Sequence, residues 1–330
     1  MSRAHSSNLF GEEATSPLGG EPLAFVEVGT TPDVDLLAPL RIAVDRTGVL
    51  PQIDSARFDA LVTVRANAPA PWVSVVPQRL EAQLAKVAAQ VAAAPVAATM
   101  LARVLRIGEN LKFEDALTIE SLAYSTLLGG SEFAAWRARN SDLDPGHQVA
   151  SPVRYGREGD DVTLTLASPD NRNAMTVAMR DALWEALANV LEDPTLPMVT
   201  IRADGRCFST GGHLPEFGSA SDLAAAHVIR MRRSAALLLH RLGARATIRL
   251  HGACIGSGIE VPAAAAYRIA ARDTVIQLPE LRMGLIPGAG GTVTVARAIG
   301  RHRMLWLVLG AFRLGAAQAL DWGLVSGLEP

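Results

Sequence analysis

Hydrophobic residues recur along this chain with two different periods, and the change of period divides it into regions. Residues 25–28 (Phe-Val-Glu-Val) and 60–64 (Ala-Leu-Val-Thr-Val) are short strand-like runs separated by Pro/Gly turns. From about residue 77 to 140 the period lengthens. Leu80, Leu84, Val87 and Val91 stand at offsets 0, 4, 7 and 11, which puts them on one helical face. Pro95 ends or restarts that helix. Met100, Val104 and Ile107 predict a second apolar face, and Leu117, Ser121, Tyr124 and Leu128 a third. Residues 141–160 turn polar and read as a linker. Beyond it, strands at 162–166, 198–201 and 246–250 alternate with helices at 177–191 and 222–242. Alternation at these lengths predicts βαβ units and a largely parallel sheet, with sites on the loops beyond the carboxyl ends of the strands.

Composition narrows the function classes. With 330 residues the chain has room for one large domain and an appendage. A net charge of -2 gives no general attraction for nucleic acid or an anionic membrane, so anion binding needs a local basic cluster or helix N-termini. The two cysteines, Cys207 and Cys254, lie in apolar or glycine-rich stretches without a further ligand at metal-binding spacing, and are expected as buried thiols in a reducing compartment. The N-terminal stretch has acidic residues and no apolar core of signal-peptide length. Residues 87–100 are interrupted by Gln90 and Pro95 and fall short of a membrane span. A cytoplasmic location is expected.

Three glycine- or proline-bearing turns carry the candidate chemistry: F-S-T-G-G-H-L (208–214), H-G-A-C-I-G-S-G-I-E (251–260) and L-P-E-L-R-M-G-L-I-P-G-A-G-G-T (278–292). A bare Gly-Gly pair is ordinarily a tight turn. The second stretch follows a strand and opens a helix expected from near Ile259, where small residues and free N–H groups suit a negative ligand. Gly212 and Ser257 would then grip one oxygen between two loops. Glu260 alone reads as a helix-start glutamate favoured by the dipole, and Glu280 alone as a surface carboxylate. Together, beside such a hole, they suit proton transfer.

In this order and spacing the stretch from 161 to 328 resembles the enoyl-CoA hydratase/isomerase family, the crotonases. The turn from Ser168 through Arg172, Asn173 and Ala174 and the closing A-L-D-W-G-L-V (319–325) belong to the same resemblance. It implies an α/β crotonase-like ββα superhelix core at 161–330, with an N-terminal mainly helical region. By this resemblance the N–H groups of Gly212 and Ser257 form an oxyanion hole, and Glu260 and Glu280 are the catalytic carboxylates. Arg172, Asn173, Ala174, Thr210, Leu214, Gly256 and Gly288 would contact the CoA thioester. His213 stands where the family usually has Asp, and Ser257 where it commonly has Gly, which leaves substrate preference open.

Family members normally continue past the position of Pro330 into helices that cover the acyl pocket and help make a trimer. Residues 76–140 resemble those helices, so the chain reads as circularly permuted, with Trp136 or Arg137 expected near a CoA site; residues 1–75 are an extension of unassigned role. The resemblance implies syn hydration of a 2-enoyl-CoA, with CoA part of the substrate, no separate cofactor or metal, and a homotrimer or hexamer. Enoyl-CoA isomerisation, thioester hydrolysis and a non-catalytic subunit of the same fold are the alternatives.

Overall fold

The computed structural model describes residues 16–29, 40–143 and 151–329. Residues 1–15 of the N-terminal extension and residues 144–150 of the expected linker lie outside them. β1 (Leu23–Glu27), β2 (Leu40–Asp45), β3 (Ala60–Thr63) and β4 (Val73–Ser74) form a parallel sheet in sequence order. Its middle strands are buried on both sides, and the two-residue period of a strand explains how. Leu40, Ile42, Val44, Ala60 and Val62 face the main core, while Ala43 and Leu61 face a smaller cluster with Phe58 and Trp72.

Four helices follow: α1 (Leu80–Ala93), α2 (Pro95–Gly108), α3 (Phe113–Leu128) and α4 (Ser131–Arg139). All four α1 residues expected on one face are buried. Pro95 restarts the chain as the first residue of α2, at a bend of 105°. The α2 expectation holds in part: Val104 is buried and Met100 packs half-buried against the core, but Ile107 is 51% exposed, and the buried face runs on through Ala97, Ala98, Leu101 and Leu105. Small alanines let α2 sit close to its neighbours, so they, rather than the larger Ile107, mark its inner side. Among the described residues no single helix is long and apolar enough to cross a membrane.

The remaining chain runs β5 (Val153–Glu158), β6 (Asp161–Leu166), α5 (Val177–Glu192), β7 (Met198–Ala203), α6 (Leu223–Arg232), α7 (Ala235–Leu242), β8 (Ala246–Leu250), β9 (Ala253–Ile255), α8 (Ser257–Glu260), β10 (Tyr267–Ala270), β11 (Val275–Gln277), α9 (Gly291–Ile299), α10 (Arg301–Gly310), β12 (Arg313–Gly315), α11 (Ala316–Asp321) and β13 (Gly327–Leu328). A six-stranded sheet takes the order β13-β10-β8-β7-β6-β5, and a three-stranded one β12-β11-β9. The segments β8–β9 and β10–β11 each place one strand in each sheet, so successive passes of chain stack as turns of a superhelix.

Three sequence expectations need correction. The polar stretch 141–160 is not all linker, because residues 153–158 pair antiparallel with β6 across the turn at Gly159. The 222–242 helix is two, since the Ser234 side chain accepts from Leu237 N–H and starts α7 afresh. The helix expected to run from Ile259 through the alanines stops at Glu260, where Pro262 opens a 3-10 turn instead.

Helix α10 is buried at every residue, including Arg301, His302 and Arg303. Arg301 donates to Phe58 O (2.9 Å), and Arg303 to Trp72 O (3.1 Å) and Ala68 O (3.2 Å); His302 Nε2 lies 3.0 Å from Ser55 O. The N-terminal sheet, unassigned in sequence, covers this helix and satisfies its basic side chains with backbone carbonyls.

Candidate active site

Two glycine loops meet side by side. Ser209 N–H donates to Ala253 O and Ile255 N–H to Ser209 O, at 3.1 and 3.0 Å, tying the loop after β7 to β9. Met175 pairs with the same loop from the other side, donating to Gly211 O (2.7 Å) and accepting from His213 N–H (3.2 Å). In such a parallel bridge the intervening residue turns its own N–H away, so Gly212 N–H points off Met175. Ser257 opens α8, where first-turn N–H groups have no helical acceptor. Among the described residues neither N–H donates to a protein group. Gly212 and Ser257 line one cavity of about 200 Å³, which Glu260 and Glu280 also line.

Gly256 lets the two carboxylates share that space. It has φ +52°, and a Cβ there would lie 2.7 Å from Glu280 Oε1 and 3.9 Å from Glu260 Oε1. Glu260 is 3% exposed and accepts from Ala289 N–H (2.7 Å) and Gly291 N–H (3.1 Å). Glu280 is also buried, and its Oε2 has no hydrogen-bond partner.

A third carboxylate, which the sequence reading did not single out, comes from α3. Buried Glu120 accepts from Gly290 N–H (2.7 Å), Thr292 N–H (2.8 Å) and Thr292 Oγ1–H (2.6 Å). Four consecutive N–H groups at the start of α9 are thus divided alternately, 289 and 291 to Glu260, 290 and 292 to Glu120. Burial raises all three carboxyls: Glu120 to about 7, Glu280 to about 8, and Glu260 well above the usual range. Charge on Glu120 adds to the rise of both other carboxyls, while the N–H donors from Ala289 and Gly291 act against it on Glu260.

The other expected contacts divide between two places. Thr210, Leu214, Gly256 and Gly288 line the carboxylate cavity. Gly288 is there because the Tyr124 ring lies against it, 2.3 Å from where a Cβ would sit. Arg172 instead lines a separate cleft of about 390 Å³ with Pro169, Asp170 and Arg206. Asn173 is fully buried; its amide donates to Asp204 O and Cys207 O and its Oδ1 accepts from Ser168 N–H, so it shapes the turn. Ala174 is buried behind it. His213 faces neither carboxylate: it lines an adjoining cavity of about 570 Å³, with Nδ1 3.8 Å from Glu216 Oε1. Trp136 stacks on Phe133 and Arg137 donates to Asn140 O; neither lines the carboxylate cavity. Cys207 and Cys254 are free and buried.

Tyr124 and Arg230 line both cavities and were likewise not marked as site residues. For Tyr124 the only sequence signal was the α3 face it shares with Ser121, which says that it points inward but not at what; no pattern marked Arg230.

Residues 160–330 match the sequence model of the enoyl-CoA hydratase/isomerase family. An enoyl-CoA isomerase/hydratase of Mycosarcoma maydis is 33% identical over 51% of this chain and 64% of its own length. A probable enoyl-CoA hydratase of Bacillus subtilis is 32% identical over 49% of this chain and 63% of its own, so the match spans less than two thirds of either relative. A trans-2-decenoyl-[acyl-carrier-protein] isomerase of Streptococcus mutans is 28% identical over 52% of this chain and 67% of its own. The solved structure of an enoyl-CoA hydratase from Thermoplasma volcanium matches with 28% identity over 55% of this chain and 72% of that one, at a TM-score of 0.49.

Proposed function

The chain belongs to the enoyl-CoA hydratase/isomerase family, and from that premise we propose that it adds water across the double bond of a 2-enoyl-CoA thioester. The observation that carries this reading is the cavity where two buried carboxylates and two free backbone N–H groups converge. The thioester oxygen takes the N–H groups of Gly212 and Ser257, which stabilise the enolate as charge develops. Glu260, raised by burial and by the charge of Glu280 but with its ionised form supported by the Ala289 and Gly291 N–H groups, takes a proton from water as the oxygen bonds to C3. The C2–C3 π electrons move into the enolate. Glu280, held protonated by burial, gives its proton to C2, and transfer from Glu260 back to Glu280 resets the pair. CoA would extend past Thr210 and Leu214 towards the Arg172 turn.

The second reading is double-bond isomerisation, favoured by the partnerless Oε2 of Glu280, a carboxyl free to move one proton between two carbons. Incubation with 2-enoyl- and 3-enoyl-CoA separates the two. Hydration gives a 3-hydroxyacyl-CoA and loss of conjugated-thioester absorbance; isomerisation gives a 2-enoyl-CoA from the 3-enoyl compound only. Turnover of neither would leave a binding subunit.

Helices α1–α4 are proposed as the relocated cover of this site, which the contacts of Glu120, Tyr124 and Glu132 with residues 284–292 support. A cytoplasmic homotrimer or hexamer is proposed from family resemblance; light scattering from a stable monomer at micromolar concentration would refute the assembly.

A further inference from the structure

The 570 Å³ cavity adjoining the carboxylates carries a cation that forms no direct ion pair among the described residues, although the charge of Glu120 acts on it. Three arginines line it. Arg180 is paired with Asp181 (2.9 Å) and Arg233 with Glu185 (3.2 Å). Arg230 forms no ion pair among the described residues. Its Nη1 donates to Ser121 O, Ser121 Oγ and Ser125 Oγ, at 3.2, 2.9 and 3.0 Å, and its guanidinium lies 4.6 Å from the Tyr124 ring centre. These contacts fix the group from α3, while Nε and Nη2 donate to no protein acceptor there.

The acids around the cavity are already engaged. Glu120 holds the start of α9; Glu216 accepts from Val177 N–H (2.8 Å); Asp222 caps α6 through Ala224 and Ala225 N–H. Arg230 also lines the carboxylate cavity, so it stands where the two spaces join. A guanidinium fixed on one edge with free N–H groups on the other is suited to a planar, two-oxygen anion. A cavity that served only an alkyl chain would leave Nε and Nη2 of this half-buried cation without an acceptor, although Nη1 is bonded.

Resting on the hydratase reading of the neighbouring carboxylates, we propose that Arg230 selects thioesters whose acyl chain ends in a carboxylate. The carboxylate meets Nε and Nη2 of Arg230, and the thioester end lies between Gly212 and Ser257. Arg230 is then the specificity-determining residue of this site.

The test uses the full chain and pairs of saturated CoA thioesters of equal carbon number, which offer no double bond to hydrate, one methyl-ended and one carboxyl-ended: hexanoyl with adipoyl, octanoyl with suberoyl, decanoyl with sebacoyl. Calorimetric binding should favour the carboxyl-ended member of at least one pair by about tenfold. Arg230→Met should abolish that preference while changing the methyl-ended affinity little, and Arg230→Lys should retain part of it. Equal or tighter binding of the methyl-ended member in every pair, or a preference that survives Arg230→Met, overturns the proposal. A CoA phosphate on Arg230 would weaken both members equally in Arg230→Met and also overturns it. If Arg230→Met fails to fold, the wild-type preference and the Arg230→Lys response decide. Turnover of the corresponding 2-enoyl thioesters is scored separately: preference without turnover removes the hydratase reading and leaves the recognition of the acyl terminus standing.

Discussion

Asp45 in the N-terminal sheet and Glu280 in the cavity it shares with Glu260 are both buried carboxylates, treated in opposite ways. Asp45 accepts from five donors: Thr47 N–H and Oγ1–H, Gly48 N–H, Leu50 N–H and Thr63 Oγ1–H. Burial pushes its pKa up, but the bonds from Thr47, Leu50 and Thr63 outweigh it and hold the carboxyl below its usual range. Glu280 Oε2 has no partner, and burial lifts the group to about 8. A fully bonded buried charge locks a turn; an unbonded one holds a proton that it can lose near neutral pH. Hydrogen bonding and depth of burial act together: Asp45 lies shallow and is bonded by five donors, whereas the deeper Glu120 stays raised to about 7 although three donors bond it.

The largest expected effect breaks the comparison at its chemical end. Glu280→Gln and Glu260→Gln are each predicted to lower hydration by about 10²-fold or more while CoA-ester binding survives. Steady-state rates beside calorimetric affinities check this, and near-wild-type turnover in either variant would sink the two-carboxylate mechanism. Glu280→Gln should also leave the melting temperature no lower than wild type, since no hydrogen bond to Oε2 is lost.

Asp45→Ala tests the other end. It strands the buried Thr63 hydroxyl and the part-buried donors of residues 47–50, and is predicted to cost about 1–3 kcal/mol of stability. Denaturant unfolding measures it; a loss well under about 1 kcal/mol would show the donors finding other partners.

The pH dependence should separate the two groups by sign. Glu280 has a raised folded pKa, so its contribution to stability is fully present below the unfolded value near 4.5 and is lost as pH rises through about 8. Asp45 has a lowered folded pKa, so its contribution is present above the unfolded value near 3.8 and is lost as pH falls through the folded one. Hydration should fall above about pH 8, as Glu280 gives up its proton. A rate still rising at pH 9 to 10 would contradict Glu280 as the acid.

Glu120→Gln gives the smallest effect on this axis. Charge on Glu120 helps hold the proton on Glu280, so neutralising it should move the alkaline limb of the rate profile to lower pH. An unmoved limb with a lowered melting temperature would reduce Glu120 to a support for the start of α9.

Removing residues 1–140 should leave an insoluble or inactive core, because α1–α4 bury apolar faces against it and α3 contributes Glu120 and Tyr124. A soluble, fully active fragment starting near residue 145 would contradict the role of these helices as the cover.

By itself the sequence determined the local features. The 0, 4, 7, 11 spacing of Leu80, Leu84, Val87 and Val91 made the buried face of α1 legible, and β8 was readable to its last residue, because periodicity and turn residues act within a few positions. The motif order marked Gly212, Ser257, Glu260 and Glu280, which the structure gathers around one cavity. Pro262 and Ser234 were present but not weighed, and they cut two expected helices short.

Only the tertiary structure decided the long-range pairings. Glu120 bonds residues 170 and 172 positions away, and Arg301 reaches a carbonyl 243 positions away. No periodicity of α3 or of the first sheet encodes those partners, since a polar residue on an inward face reads the same whether its hydrogen-bond partner is water or a distant backbone group. Four of the five donors to Asp45 are local, from residues 47, 48 and 50, but the fifth, Thr63, and the lack of a partner at Glu280 Oε2 depend on which segments come together. That outcome exists only once the chain is folded.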